Sequence, residues 1–137
     1  MVRELIHDEI FLCRSSDDAT KEDKKIAEDL LDTLIAHSGS CVGMAANMIG
    51  YLKRIIAIDA GGKYVIMYNP KIVEKSGEYE AEEGCLSYMG GPKKAKRYRS
   101  IRVGYRDEKF KECSRIFTGF TAQIIQHEID HCNGVLI

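Results

Sequence analysis

The spacing of apolar residues predicts one helix near the start of the chain and another at its end. In the first, over residues 20–37, apolar side chains recur every three or four positions and form one stripe. Thr20 suits the first position, because its hydroxyl can accept a hydrogen bond from a free backbone N–H. The last helix is predicted over residues 119–133, and Gly134 ends it. The side chains expected to pack into the core are Ile26, Leu30, Leu34 and Ile35 from the first helix, and Phe120, Ile124 and Ile125 from the last.

Between the helices, apolar and polar residues alternate in the way typical of β-strands. Pro70 predicts a break, because proline has no N–H to give to a sheet. The predicted strands cover residues 54–59, 63–69, 71–75 and 100–105, with a last strand ending near Phe117. A helix, then mostly strands, then a helix predicts an α+β fold, in which a mostly antiparallel sheet packs around the C-terminal helix. We expect one domain over residues 1–137.

The charge balance argues against a general nucleic-acid-binding protein. The 137 residues carry 20 basic and 21 acidic side chains, for a net charge of −1, whereas phosphate binding needs a basic excess. A basic run at residues 93–99 is interpreted as a solvated loop that leads into a strand.

Composition also bears on the cellular location. No apolar stretch approaches the ~20 residues that cross a bilayer, and the first residues lack the apolar core of a signal peptide. The five cysteines are odd in number and form no Cys-x-x-Cys pair. These features predict a cytoplasmic protein with reduced thiols and no membrane partner.

The last predicted helix carries the residues with the clearest chemistry. His127 and His131 are one helical turn apart, so both imidazoles can reach one metal ion. Glu128 lies beside the first histidine, where its carboxylate can take a proton from a water on the metal. The same three residues also occur by chance on surface helices, so the motif needs support from a third ligand.

Cys85 is the candidate for that third ligand. In metalloprotease motifs the third ligand usually lies downstream of the two histidines. Here the chain ends at Ile137, so we expect the third ligand upstream. Cys85 follows Gly84, which could let the backbone turn tightly and bring a thiolate inward. Taken alone, the cysteine would be interpreted as a small buried apolar residue.

A third segment, residues 41–50, is rich in small side chains that permit close approach of another chain. Together with Glu83-Gly84-Cys85-Leu86-Ser87 and Gln126-His127-Glu128-Ile129-Asp130-His131, it resembles the three motifs of the peptide deformylases. The second and third motifs are intact. The family's first motif, Gly-x-Gly-x-Ala-Ala-x-Gln, is matched at Gly43, Ala45 and Ala46.

This resemblance implies an enzyme that removes the formyl group from N-formylmethionyl nascent peptides and releases formate, and the ribosome is the expected place of action. It implies one divalent metal, Fe²⁺ first, with Ni²⁺, Co²⁺ or Zn²⁺ as substitutes. The substrate backbone is expected to pair with the edge formed by the first motif. The residues carried over are Cys85, His127 and His131 as ligands, Glu128 as general acid and base, the Leu86 N–H as an oxyanion donor, and Val42, Gly43, Phe120 and Ile124 around the methionine side chain.

The first motif departs from the family in two places. Cys41 stands where the first glycine is expected, and Met48 stands where the family has a glutamine that donates to the oxyanion. A thioether cannot donate a hydrogen bond. Asn47 is adjacent, but neighbouring side chains of an extended segment point to opposite faces. The alternatives are therefore a deformylase paralogue that only binds peptides, an enzyme for another N-acyl substrate and, less favoured, an endopeptidase.

Overall fold

The computed structural model describes residues 1–87 and 90–137, which form helices on both faces of one sheet. Five antiparallel strands lie in the order β1-β2-β3-β4-β5. The predicted α+β fold with a mostly antiparallel sheet is confirmed. The helices are α1 (Glu9–Leu12), α2 (Lys24–Ala36) and α3 (Gly119–Cys132), with 3₁₀ turns at Lys21–Asp23 and Ala46–Ile49; the strands are β1 (Gly43–Ala45), β2 (Ile55–Asp59), β3 (Tyr64–Glu83), β4 (Lys93–Arg106) and β5 (Glu112–Thr118).

Helix α2 covers one face of the sheet. The Thr20 hydroxyl accepts from the N–H of Glu22, and the Asp23 carboxylate accepts from the N–H of Thr20, so the start of the helix is capped from both sides. Leu30 and Leu34 are fully buried, whereas Ile35 is 45% exposed. The predicted stripe is therefore narrower than expected. In the core, the buried side of α2 shares one hydrophobic cluster with the sheet residues Met44, Ile55, Ala57 and Tyr68.

Helix α3 covers the opposite face. Ile124 and Ile125 pack against the inward side of β4, as predicted. Phe120 does not belong to this core, since it is 64% exposed in the first turn. The helix begins where β5 leaves the sheet, so its first turn extends beyond the strands that could cover it. No helix in the described parts of the chain has the length and apolar character to span a membrane.

The predicted break at Pro70 is wrong, because β3 runs without interruption from Tyr64 to Glu83. A register shift between Tyr68 and Lys71 takes up the proline, and Asn69 next to it adopts a left-handed φ of 52°. The Asn69 side chain bonds to both the N–H and the carbonyl of Ala19, which fixes this bulge. Tertiary contacts thus accommodate a residue that would otherwise end the strand.

The basic run at residues 93–99 is strand rather than loop, because acidic residues of β3 lie opposite it. Lys94 pairs in register with Glu82, and Lys96 pairs with Glu80. Two ion pairs, Lys94–Glu80 and Lys96–Glu78, cross between the strands. The lysines remain exposed, but their partners are fixed by the hairpin.

Two glycines with positive φ allow a test of local strain. Gly134 has a φ of +76°, and a Cβ added there would lie 2.4 Å from the carbonyl oxygen of Cys13; Gly119 has a φ of +60° and open space around it. We expect Gly119→Ala to lower the free energy of unfolding by about 1–2 kcal/mol, the cost of the left-handed conformation alone. Gly134→Ala should cost at least about 1 kcal/mol more, because backbone must also move. Urea denaturation of both variants measures the difference, and equal losses would contradict this account.

Candidate metal centre

Three side chains predicted to bind metal converge at the end of the sheet. One ligand atom each from Cys85, His127 and His131 lie within 4.8 Å of one another, and both histidines are buried. The two Nε2 atoms face each other at 3.0 Å. Atoms this close around one point suit the bonds of about 2.0–2.3 Å that cations such as zinc make to nitrogen and sulfur. Two imidazoles come from successive turns of α3, and the thiol comes from the segment that follows β3.

A buried ion network supports the first histidine. The Glu83 carboxylate accepts from Nδ1 of His127 at 2.9 Å, from Nη2 of Arg97 at 2.6 Å and from Nε2 of Gln123 at 2.9 Å. Because a carboxylate only accepts, Nδ1 of His127 carries the hydrogen and Nε2 is left for the metal. Burial alone would raise the pKa of Glu83, but these donors hold it at about 2. Arg97 also donates to Asp130 at 2.7 Å.

The charges around the cluster favour a cation. Burial opposes a charge on His127, yet its neighbours Cys85 and Glu83 raise its pKa to about 10. Burial, followed by the charge of the neighbouring His127, lowers the pKa of His131 to about 3, and a metal binds an imidazole in its neutral form. A positive charge is thus stabilised between the thiol and the carboxylate. The donor set of one sulfur and two nitrogens fits a divalent transition metal and leaves a coordination position open.

Glu128 lies beside this cluster as a buried carboxylate without a complete set of partners. Its Oε1 has no hydrogen-bond partner among the described residues. Burial is the main cause that raises the pKa of Glu128 to about 7. A carboxyl group with such a pKa can both take up and release a proton near neutrality.

Gly43 determines how closely β1 approaches α3. A Cβ at this position would lie 2.6 Å from Cγ2 of Ile124 and 2.9 Å from Oε2 of Glu128. Only a glycine therefore lets the strand pass over the helix at this point. Gly84 has no comparable role, since it has neither a positive φ nor any atom within 4 Å of an added Cβ. Neither observation shows that the turn expected before Cys85 requires a glycine at position 84.

A cleft of about 460 Å³ opens in front of these residues. Phe120, which is 64% exposed, and Val42, which is 38% exposed, lie at its rim. The cleft brings together most of the residues predicted from sequence, although His131 lies behind its wall. The lining residues from that set are Val42, Gly43, Cys85, Leu86, Phe120, Ile124, His127 and Glu128, and Cys41, Met48 and Gln123 are added to them.

Known proteins share this sequence and architecture. A family model described as polypeptide deformylase matches residues 6–137. The chain is 48% identical to a peptide deformylase of Clostridium beijerinckii over 137 residues, which is 100% of both chains. The chain belongs to the peptide deformylase family. These enzymes are metal-dependent hydrolases that remove the formyl group from nascent peptides.

Two further comparisons agree with this family. Identity to peptide deformylase 1 of Clostridium perfringens is 42% over 126 residues, which cover 90% of this chain and 84% of that protein. The crystal structure of peptide deformylase from Thermotoga maritima superimposes with a TM-score of 0.88 and 31% identity, over 99% of this chain and 94% of that one. The resemblance seen in the sequence is confirmed, and the alternatives of a binding module, another N-acyl substrate or an endopeptidase are not favoured.

Asn47 and Met48, at the place where the chain departs from the family's first motif, lie in a short helical turn. Residues Ala46–Ile49 are a 3₁₀ turn, so the expectation of an extended segment at Asn47 is wrong. The Asn47 amide donates to the carbonyl of His131 at 3.0 Å and is fully buried. It therefore ties this turn to α3 and is not available to substrate. Met48 lines the cleft, and its sulfur lies 3.5 Å from the N–H of Ala45.

Sequence reasoning missed the supporting network, although part of it was visible. Glu83 and Asp130 both lie inside intact motifs, within two residues of a predicted ligand, but neither was predicted to have a role. Nothing in the sequence singles out Arg97 from the other basic residues of its run. Only the pairing of β3 with β4 shows that its side chain is buried with Glu83, with 5% and 6% of the two side chains exposed.

Gly43 and Gly84 make a matched pair of variants. In Gly43→Ala, the new methyl group must displace Glu128 or Ile124, so we expect formate release to fall by about 10²-fold or more. In Gly84→Ala, the methyl group enters open space, and activity should stay within a few-fold of the starting protein. Steady-state kinetics with a formylated peptide, together with metal analysis, checks both. Similar activities in the two variants would show that contact of β1 with Glu128 is unimportant.

Proposed function

We propose that the cleft binds an N-formylmethionyl peptide and that Glu128 moves the protons of its hydrolysis. Cys85, His127 and His131 hold one divalent metal, and the Leu86 N–H assists at the carbonyl oxygen. The observation that carries this proposal is the convergence of three ligand atoms within 4.8 Å beside the unpartnered Oε1 of Glu128. The products are formate and a peptide with a free amino-terminal methionine.

We propose ferrous iron as the metal, with Ni²⁺, Co²⁺ or Zn²⁺ as substitutes. A thiolate with two imidazoles suits several first-row cations, and Fe²⁺, Ni²⁺, Co²⁺ and Zn²⁺ all accept it. A cation held there supplies Lewis acidity, which makes a water molecule more acidic and polarises a carbonyl oxygen. Because Fe²⁺ and thiolate both oxidise in air, a loss of activity under oxygen that nickel loading prevents would support iron.

Glu128 is suited to carry a proton between the two bonds that change. Its Oε1 is buried and unpartnered, and its pKa is raised to about 7. The carboxylate takes the proton of the attacking water, and the carboxylic acid then gives it to the amide nitrogen as the carbon–nitrogen bond breaks. Gly43 allows the strand beside it to pass close enough to exclude bulk water.

The remaining groups orient the substrate. The methionine side chain enters the cleft alongside Gly43 and Ile124, which are in contact with each other, with Val42 and Phe120 at the rim. The Leu86 N–H makes no hydrogen bond to any described residue, so it is available to the oxygen on which negative charge develops. The peptide backbone pairs with the outer edge of β1, since β1 is the edge strand of the sheet.

The place of action follows from the substrate. Formylated methionine occurs at the start of nascent chains, so we propose that the enzyme acts in the cytoplasm on peptides emerging from the ribosome. All five cysteines are unpaired, which agrees with a reducing compartment.

The central experiment measures formate release from formyl-Met-Ala-Ser by protein purified without oxygen and loaded with iron. Glu128→Gln keeps the side-chain volume but cannot take up the proton, so turnover should fall by about 10²–10⁴-fold while metal content is retained. His131→Ala should instead lose the metal. A Glu128→Gln variant that works within a few-fold of the parent would refute the role of this carboxylate.

Met48→Gln tests the missing oxyanion donor. Glutamine can accept the Ala45 N–H with its oxygen and turn its NH₂ towards the cleft, so turnover should rise by up to roughly 10²-fold. Binding of the product-like peptide Met-Ala-Ser should not change, because that ligand carries no developing charge. Met48→Leu is the control, since it fills the space without a donor and should give no gain. An equal gain from both substitutions would assign the effect to shape instead.

A further inference from the structure

The N-terminal segment connects the two pieces of chain that face the substrate. The N–H of Ile6 donates to the carbonyl of Met48 at 2.8 Å. One residue further, Nδ1 of His7 lies 3.0 Å from the carbonyl oxygen of Ser87. Because that oxygen can only accept, Nδ1 of His7 is the donor. The segment therefore links the 3₁₀ turn of the first motif to the loop that carries Cys85 and Leu86.

That loop, residues 84–87, has little else to hold it. It lies outside the helices and strands. Within the described parts of the chain, the bond from His7 is the only hydrogen bond made by the backbone of residues 85–87. Ser87 is fully buried, but its own hydroxyl has no partner among the described residues. Apart from the packing of the Cys85 and Ser87 side chains, the bond from His7 is thus the contact that holds this backbone within the described parts of the chain.

The orientation of this loop matters more in this chain, which has Met48, than it would in a chain with glutamine at position 48. Met48 accepts and cannot donate, so the Leu86 N–H is the remaining protein donor for the oxyanion. An error of about 1 Å in such a group can cost 10²-fold in rate. The Ser87 carbonyl lies two peptide groups beyond the one that presents the Leu86 N–H, so the bond from His7 anchors the chain on the far side of this N–H.

We propose that His7 is a positioning residue for deformylation, which holds the Cys85–Leu86 turn through the Ser87 carbonyl. This inference rests on the proposed roles of Leu86 and Cys85. His7 touches neither the substrate nor the metal ligands, and it acts only through the loop. Its loss should therefore reduce kcat more than it changes KM.

Three variants test this role. His7→Leu removes the donor, and kcat should fall about 10- to 100-fold with little change in KM. His7→Asn places an NH₂ group close to the position of Nδ1 and should restore most of the rate. His37→Leu is the matched control: Nδ1 of His37 also lies beside a backbone carbonyl, that of Thr33 on α2 at 2.9 Å, and His37 is not among the residues that line the cleft. It should leave kcat unchanged.

A spectroscopic readout separates this proposal from the proposed function. In the cobalt-loaded protein, the sulfur-to-metal absorption band reports the position of Cys85. The band should shift or broaden in His7→Leu, return in His7→Asn and remain unchanged in His37→Leu. If the band behaves in this way but the parent protein releases no formate, the positioning role stands and the proposed reaction fails. If formate is released and neither kcat nor the band responds to His7→Leu, or if asparagine restores nothing, the positioning role is refuted.

Discussion

The functional site depends on the buried hydrogen bonds that the carboxylate of Glu83 accepts. This residue ends β3, takes two donors from Arg97 on β4 and one each from His127 and Gln123 on α3, and so joins three elements at one buried point. A buried charge without partners would cost several kcal/mol, on the order of what a domain has as its whole stability. The hairpin and the helix therefore have one relative position in which all these groups are satisfied. That position is also the one that brings the Cys85 thiol to the two histidines.

The same arrangement explains why the metal ligands need so little else. His127 has its ring turned by Glu83, and His131 follows one turn later on the same helix. Cys85 comes two residues after Glu83 along the chain, so the network fixes one end of its loop. Beyond Leu86, the bond from His7 holds the Ser87 carbonyl. A segment held on each side of Cys85 and Leu86 can present a thiolate and an N–H without secondary structure of its own.

The first motif is adapted to contact with α3. Gly43 passes directly over Ile124 and Glu128, and the Asn47 amide bonds to the carbonyl of His131. Both contacts hold β1, the proposed substrate-binding edge, against the helix that carries His127 and His131. The change to Met48 alters the chemistry of this edge without disturbing that packing, because the methionine is buried and its sulfur lies beside a local N–H. The chain thus retains the family's architecture with one hydrogen-bond donor fewer at the cleft.

The sequence by itself predicted the α+β class, both long helices and the histidine pair of the proposed metal site, because helical periodicity and a four-residue histidine spacing are local properties. It also showed that Met48 cannot donate. It could not determine that β3 passes through Pro70, that Arg97 is buried or that Phe120 lies at the rim of a cleft. Those outcomes depend on which strand lies opposite, since pairing supplies the bulge beside Pro70 and the carboxylate for Arg97. Only the tertiary structure decided them, because their energy comes from partners distant along the chain.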